Sequence, residues 1–276
     1  MSRVNTLTPV GLFPLPRPLM TGEVLDAAFR LFRAGLLRSL PYSGLAVLVL
    51  ELPTLYSTFL WPVAGGLLSG DNFRMAIYFV VLLLSAALLG VITLRLQAVS
   101  LGQRPGFRRE AGLALRRWPN AVIATMGALG IPLFLFAVSN VFTSILPGEA
   151  LLVLGALMLW PTALFAVALP AFWCDRLGPF HAIARAVRIS WRRSWRMAGA
   201  ILAAVCMLAV FYVLAAIVVT MLSPMLMRAD LFLVATVRSL LTLVVGAVGV
   251  PFVVAVLIVA YEDLKLRERV SRGARA

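Results

Sequence analysis

Very few residues of this chain could take part in acid-base or metal chemistry. Among its 276 residues there are one histidine, two cysteines and 11 acidic residues. Catalysis of either kind needs several such side chains in one place, and the sequence has neither a glycine-rich phosphate loop nor a nucleophile elbow. His181 lies among arginines with no carboxylate near it in sequence, which favours a plain surface residue. We therefore expect a protein that is not an enzyme and that holds no cofactor and no metal.

Glu51 is the one acidic residue deep inside an apolar segment, two residues before Pro53. An acid inside a membrane is costly and is a functional candidate by default. Two interpretations stay open: a hydrogen bond to a neighbour such as Thr54 stabilises it, or it serves transport, gating or the binding of a polar ligand. Residues counted along the helices from the arginine-rich side of the membrane place Arg238 about 20 Å deeper than Glu51. We therefore do not expect the two side chains to meet.

The elements that position these residues are membrane helices. The chain is 62% hydrophobic and 13% charged, with a mean hydropathy of +0.99, whereas soluble domains are about 45–50% apolar and about 25% charged. A membrane-spanning helix needs about 20 mostly apolar residues. Six segments qualify and predict an all-α polytopic fold with six transmembrane helices: Pro41 to Trp61, Met75 to Leu94, Ala121 to Phe142, Ala150 to Trp173, Met197 to Leu222 and Leu231 to Tyr261.

The positive charge of the chain is distributed unevenly between the two sides of these segments. The net charge is +14, and 22 of the 25 Lys and Arg residues fall on one side, against Arg74, Arg228 and Arg238 on the other. Cytoplasmic segments are rich in Lys and Arg, so the asymmetry predicts that both termini are cytoplasmic in a bacterial inner membrane. This orientation accounts for the basic composition, so we do not expect nucleic acid as a partner. The predicted organisation is an irregular tail at 1–20, one membrane domain at 21–262 and a basic tail at 263–276.

Arginine-rich amphipathic helices precede three of the predicted spans. The clearest begins at Pro179, which suits a first helical turn. Its apolar face is predicted to carry Phe180, Ile183, Val187, Trp191 and Trp195, and its other face Arg185, Arg188, Arg192 and Arg196. Such a helix is typical of the membrane interface, with aromatic residues among acyl chains and guanidinium groups at lipid phosphates.

A first copy is predicted to begin with Thr21 as N-cap, and Asp26 can pair with Arg30. Its lipid-facing stripe would be Leu25, Ala28, Phe32 and Leu36. A shorter copy runs from Phe107 to Trp118. In register, Arg30, Arg108 and Arg185 coincide, as do Arg38, Arg116 and Arg193, at offsets of 78 and 77 residues, which suggests three repeated units of one helix and one hairpin. The predicted binding arginines are Arg30, Arg33, Arg108, Arg185, Arg188, Arg192 and Arg196.

Three stretches resemble a family of poorly characterised six-span bacterial membrane proteins, which includes the membrane domain fused to some glycerophosphodiester phosphodiesterases. They are Gly22 to Arg30, Gly178 to Ala186 running on to Trp195, and Tyr261 to Arg267. The resemblance implies the architecture and an inner-membrane location but no reaction. The chain departs from the family at Ala186, Glu262 and Lys265, where relatives have Ser, Tyr and Arg.

The leading functional hypothesis is a non-enzymatic inner-membrane protein whose arginine helices bind anionic lipid headgroups of the phospholipid bilayer or a membrane protein partner. The arginine side chain suits phosphate and carboxylate alike, so the sequence leaves lipid and protein open. The alternative is a small-solute transporter or permease that uses Glu51.

Overall fold

The computed structural model describes residues 12–56, 71–103, 106–127, 164–191, 194–229 and 231–273. These ranges contain eight helices and no strand, which confirms the all-α prediction for this part of the chain. In chain order the helices are α1 (Thr21–Leu55), α2 (Asp71–Ser100), α3 (Phe107–Arg116), α4 (Trp118–Thr125), α5 (Ala168–Cys174), α6 (Pro179–Ser190), α7 (Ser194–Ala229) and α8 (Leu231–Gly273).

Four of these helices are long and apolar enough to cross a membrane. The candidate spans are Thr21–Pro53, Ala76–Ser100, Trp195–Pro224 and Thr236–Arg272. They overlap the first, second, fifth and sixth predicted segments, although only the fifth lies wholly inside its span. The third and fourth predicted segments fall mostly on residues 128–163, which lie outside the described residues. The described residues therefore contain four candidate spans, and the count of six stays a prediction.

Helix α1 joins two elements that the sequence predicted separately. The first amphipathic helix and the first span form one continuous helix with Pro41 in its interior. Met20, not Thr21, is the N-cap, and the Glu23 carboxylate accepts a hydrogen bond from the Met20 amide at 2.7 Å. At 35 residues the helix is about 52 Å long, which exceeds the roughly 30 Å of membrane hydrocarbon, so part of it must project from the membrane.

The predicted basic tail at 263–276 is also helical over most of its length, because α8 continues to Gly273. Helix α8 lies against α1 and α7, and α1 also packs against α2. A buried hydrogen bond from the Ser43 hydroxyl to the Ala247 carbonyl, 2.6 Å long, fixes the register of α1 and α8. Val47 packs against Gly246 so closely that a Cβ there would lie 2.7 Å from a Val47 methyl group.

The arginine-rich segments meet at one end of the bundle, which we call the basic end. It comprises residues 12–38, 95–103, 106–118, 175–191, 194–196 and 261–273, which are joined by the hydrogen bonds and ion pairs described below. The largest fully buried side chains lie at or next to it, among them Trp173, Tyr261, Phe172 and Leu31. Trp173 packs against Gly90 of α2, where a Cβ would lie 2.2 Å from the indole ring.

The prediction that the apolar stripe of the first amphipathic helix faces lipid is wrong, because this stripe faces the protein interior. Ala28 is fully buried, and Leu25 and Phe32 pack against the protein core. Asp26, Phe29, Arg30 and Arg33 are exposed on this part of α1. An apolar stripe can face lipid or other helices equally well, because both surroundings are apolar.

Candidate functional site

Helix α6 shows how the basic end divides its side chains among three surroundings. Its small residues, Ala182 and Ala186, are fully buried, and α6 packs against α4, α5 and α8. Phe180 is exposed, as are Trp191 and Trp195 just beyond the helix. The predicted two faces are therefore three: a small-residue face toward the protein, an exposed aromatic face and an arginine face.

The arginine face of α6 is itself divided, because Arg185 takes part in an internal ion network. Arg185 Nε lies 3.6 Å from Asp175 Oδ2 and its Nη2 lies 3.9 Å from Glu268 Oε2. Asp175 also accepts hydrogen bonds from the Tyr261 hydroxyl at 2.6 Å and from Lys265 Nζ at 2.8 Å. This network ties the end of α5 to α6 and α8.

The network determines the charge state of Asp175. Burial raises the pKa of this carboxyl, but the hydrogen bonds from Lys265 and Tyr261 and the charges of Lys265 and Arg185 outweigh burial, so the pKa lies below the usual value. Asp175 is therefore ionised at neutral pH. Arg185, which the sequence assigned to lipid or partner binding, has its charge matched within the protein.

A second ion pair joins α2 and α3. Arg95 Nε lies 3.1 Å from Glu110 Oε2, and the side chains are only 11% and 7% exposed. The Arg95 guanidinium also lies over the Tyr42 ring, 4.7 Å from its centre, and donates to the Arg38 carbonyl at 2.7 Å. Neither Glu110 oxygen accepts a hydrogen bond from the described residues, so the contact between the two is purely one of charge.

Residues 12–20 of the predicted tail form neither helix nor strand and lie across the basic end. The Leu12 amide donates to the Ser100 carbonyl at 2.9 Å, and the Leu19 amide donates to Asp263 Oδ1 at 2.7 Å. The Leu19 carbonyl accepts from Arg196 and Arg267. Arg196, another arginine of the predicted binding set, thus contacts the protein's own backbone.

The other predicted arginines lie on the surface. Arg30, Arg33, Arg108 and Arg188 are exposed and make no ion pair with any described carboxylate, and the expected pair between Asp26 and Arg30 does not form. Arg192 lies outside the described residues. The alignment of Arg30, Arg108 and Arg185 as repeat equivalents does not give them equivalent surroundings, because the first two are exposed and the third is paired.

Glu51 and Arg238 lie at nearly the same depth, so the predicted 20 Å separation along the membrane normal is wrong. Ser43 and Ala247 are in contact, and the helices run antiparallel. Glu51 is eight residues beyond Ser43 and Arg238 nine residues before Ala247, which places them about 12 and 14 Å from that contact in the same direction. The residue counts failed because they started from Pro41 and Glu262 as one level, whereas Asp263 contacts Leu19, well before Pro41 in the chain.

Sequence reasoning missed the acidic residues that organise the basic end. Within the described part of the chain, Glu23, Glu110, Asp175, Glu262, Asp263 and Glu268 each pair with Lys or Arg. The sequence did contain a usable signal. Acidic residues are so few in this chain that each one in an arginine-rich segment predicts an ion pair. What the sequence could not supply was which partner, because Asp175 and Lys265 are 90 residues apart.

Comparisons with protein-family models, with curated proteins and with solved structures gave no match. The resemblance to the six-span family therefore stays a prediction. Two of the residues that depart from that family's pattern, Glu262 and Lys265, contact each other at 3.1 Å. Across the described residues, no three His, Cys, Asp or Glu side chains are grouped in a way that could hold a metal ion.

Proposed function

We propose that this chain is a non-enzymatic integral membrane protein that binds anionic phospholipid headgroups through exposed arginines of its basic end. The lopsided distribution of cations in the sequence supports a location of this end at the cytoplasmic face of a bacterial inner membrane. Anionic lipids are abundant in that leaflet and attract clustered arginines.

One observation carries the proposal: ion pairs within the protein use six of the seven carboxylates of the basic end and leave several arginines without a carboxylate partner among the described residues. Six carboxylates have cationic partners there, while Arg30, Arg33, Arg108 and Arg188 have none among the described carboxylates. Guanidinium groups bind phosphate through paired hydrogen bonds. A surface with an unmatched excess of arginine is thus suited to an external anion.

Exposed aromatic side chains accompany these arginines. Phe29 neighbours Arg30, Phe107 neighbours Arg108, and Phe180 and Trp191 lie on α6 and its end with Arg188. On an interfacial helix, Trp and Phe side chains bury at the boundary between headgroups and acyl chains. The combination supports a lipid surface over a soluble protein partner, while a transporter role for Glu51 stays an untested alternative.

The test is native mass spectrometry of the full chain in a mild detergent with added phosphatidylglycerol. We expect the change of Arg30, Arg33, Arg108 and Arg188 together to Gln to lower the bound phosphatidylglycerol at least fivefold. The same four positions changed to Lys keep the charge and should retain most of it. Unchanged binding in the Gln variant would overturn the proposal.

Arg185 provides a matched comparison from the same helix. Because its charge is used by Asp175 and Glu268, Arg185→Gln should lower the melting temperature but leave the lipid stoichiometry unchanged. If Arg185→Gln removes as much lipid as the fourfold variant, the division into paired and binding arginines is wrong.

A further inference from the structure

A partly polar cavity that is open to the surface lies in the membrane-spanning part of the structure, far from the basic end. It lies between α7 and α8 and has a volume of about 410 Å³, within the range of small-ligand sites. Its lining residues are Tyr212, Ala215, Ala216, Val219, Thr220, Arg238, Leu241 and Thr242. Among the described residues, the lining includes one cation and no carboxylate.

Arg238 is well inside the apolar part of the structure. It lies seven residues, or about 10 Å, from the start of α8, and about 20 Å along the helices from the level of Arg38. A charged side chain at such a depth is costly and marks a functional site by default. Arg238 is exposed to the cavity and has no hydrogen-bond or ion-pair partner among the described residues.

The hydroxyl groups of Thr242 and Tyr212 extend the hydrogen-bonding capacity of the cavity wall. Thr242 is one helical turn from Arg238, so both side chains lie on one face of α8. Thr220 is unavailable as a donor, because its hydroxyl already donates to the Ala216 carbonyl at 2.8 Å. Tyr212 closes the inner end, where its hydroxyl lies 3.1 Å from the position of a Cβ on Gly246.

Electrostatics favour the α8 wall of the cavity for a negative charge. Arg238 provides a positive charge on this wall, whereas Glu51 lies within electrostatic range of the Tyr212 hydroxyl on α7. We propose that Arg238 and Thr242 bind an anionic group, a phosphate or a carboxylate, in the cavity between α7 and α8. The bound anion would neutralise the otherwise unmatched Arg238, which is the physical reason for the site.

The anion has two possible sources, an amphiphile whose apolar part lies along Ala215 and Val219, or a small anion from water. The lipid arm uses native mass spectrometry with phosphatidylglycerol on a chain in which Arg30, Arg33, Arg108 and Arg188 are Gln, so that binding at the basic end is removed. The water arm uses isothermal titration of the full wild-type chain with inorganic phosphate. Both arms are repeated with Arg238→Gln.

A lipid source predicts one retained phosphatidylglycerol that Arg238→Gln removes, and a water source predicts a phosphate Kd that rises at least tenfold in Arg238→Gln. In the experiment that responds, Arg238→Lys should keep the lipid occupancy or the phosphate Kd within about threefold of the value measured with Arg238. Should Arg238→Gln not fold, Thr242→Val replaces it, with an expected two- to fivefold loss of affinity. The proposal is overturned if neither arm responds to these changes.

Discussion

Helices α7 and α8 have the same apolarity and yet differ greatly in burial. Their candidate spans have a mean hydropathy of 2.9 each, but 11% of the α7 window is buried against 67% of the α8 window. Hydropathy measures the free energy of leaving water, and lipid and protein interior satisfy it equally. It therefore identifies spans without telling which of them lies at the centre.

Polar contacts are what distinguish the two helices. Near its end, helix α8 donates hydrogen bonds from Tyr261 and Lys265 to Asp175, which follows α5. Its Ala247 carbonyl accepts from Ser43, whereas the Thr220 and Ser223 hydroxyls of α7 donate within their own helix. Directional contacts between helices thus accompany the central position of α8.

If polar pairing holds the centre together, loss of a buried partner should have the largest effect on stability. Glu110→Gln leaves the Arg95 charge nearly buried and unmatched, which costs about 3–5 kcal/mol. We expect a corresponding fall of the melting temperature in detergent. Arg95→Met added to Glu110→Gln should recover most of the loss, and a double variant as unstable as the single one would contradict a role for charge.

The same substitution on both helices tests the difference in burial directly. Ile258 of α8 is 1% exposed and Ile217 of α7 is 45% exposed. Ile258→Ala creates a cavity and should destabilise by about 3 kcal/mol, whereas Ile217→Ala should cost below about 0.5 kcal/mol. Steric-trapping measurements of unfolding free energy would compare the two, and equal losses would show that α7 is as tightly packed as α8.

Hydropathy and charge predicted the helical class and the four long helices, because both depend on local sequence alone. They did not predict the direction of the Ala28 stripe, since an apolar face fits lipid and protein equally. They also failed on the depth of Arg238 relative to Glu51, which depends on where α8 contacts α1. The partners of Asp175 and Glu110 lie on other helices, so only the tertiary arrangement reveals them.

The smallest predicted effect concerns Asp175 and appears as a dependence on pH. Its pKa in the folded protein is below the usual value, so its stabilising effect is present above the ordinary aspartate pKa of about 3.9 and is lost as the pH falls through the folded value. Asp175→Asn should therefore lower the melting temperature at pH 7 by roughly 2–4 °C, equivalent to about 1 kcal/mol, and should flatten its fall between pH 5 and pH 3. Asp26→Asn serves as the control, because Asp26 is exposed and forms no ion pair with the described cations. An equally steep acid transition in wild type and Asp175→Asn would mean that the network at α5, α6 and α8 owes its stability to packing rather than to the Asp175 charge.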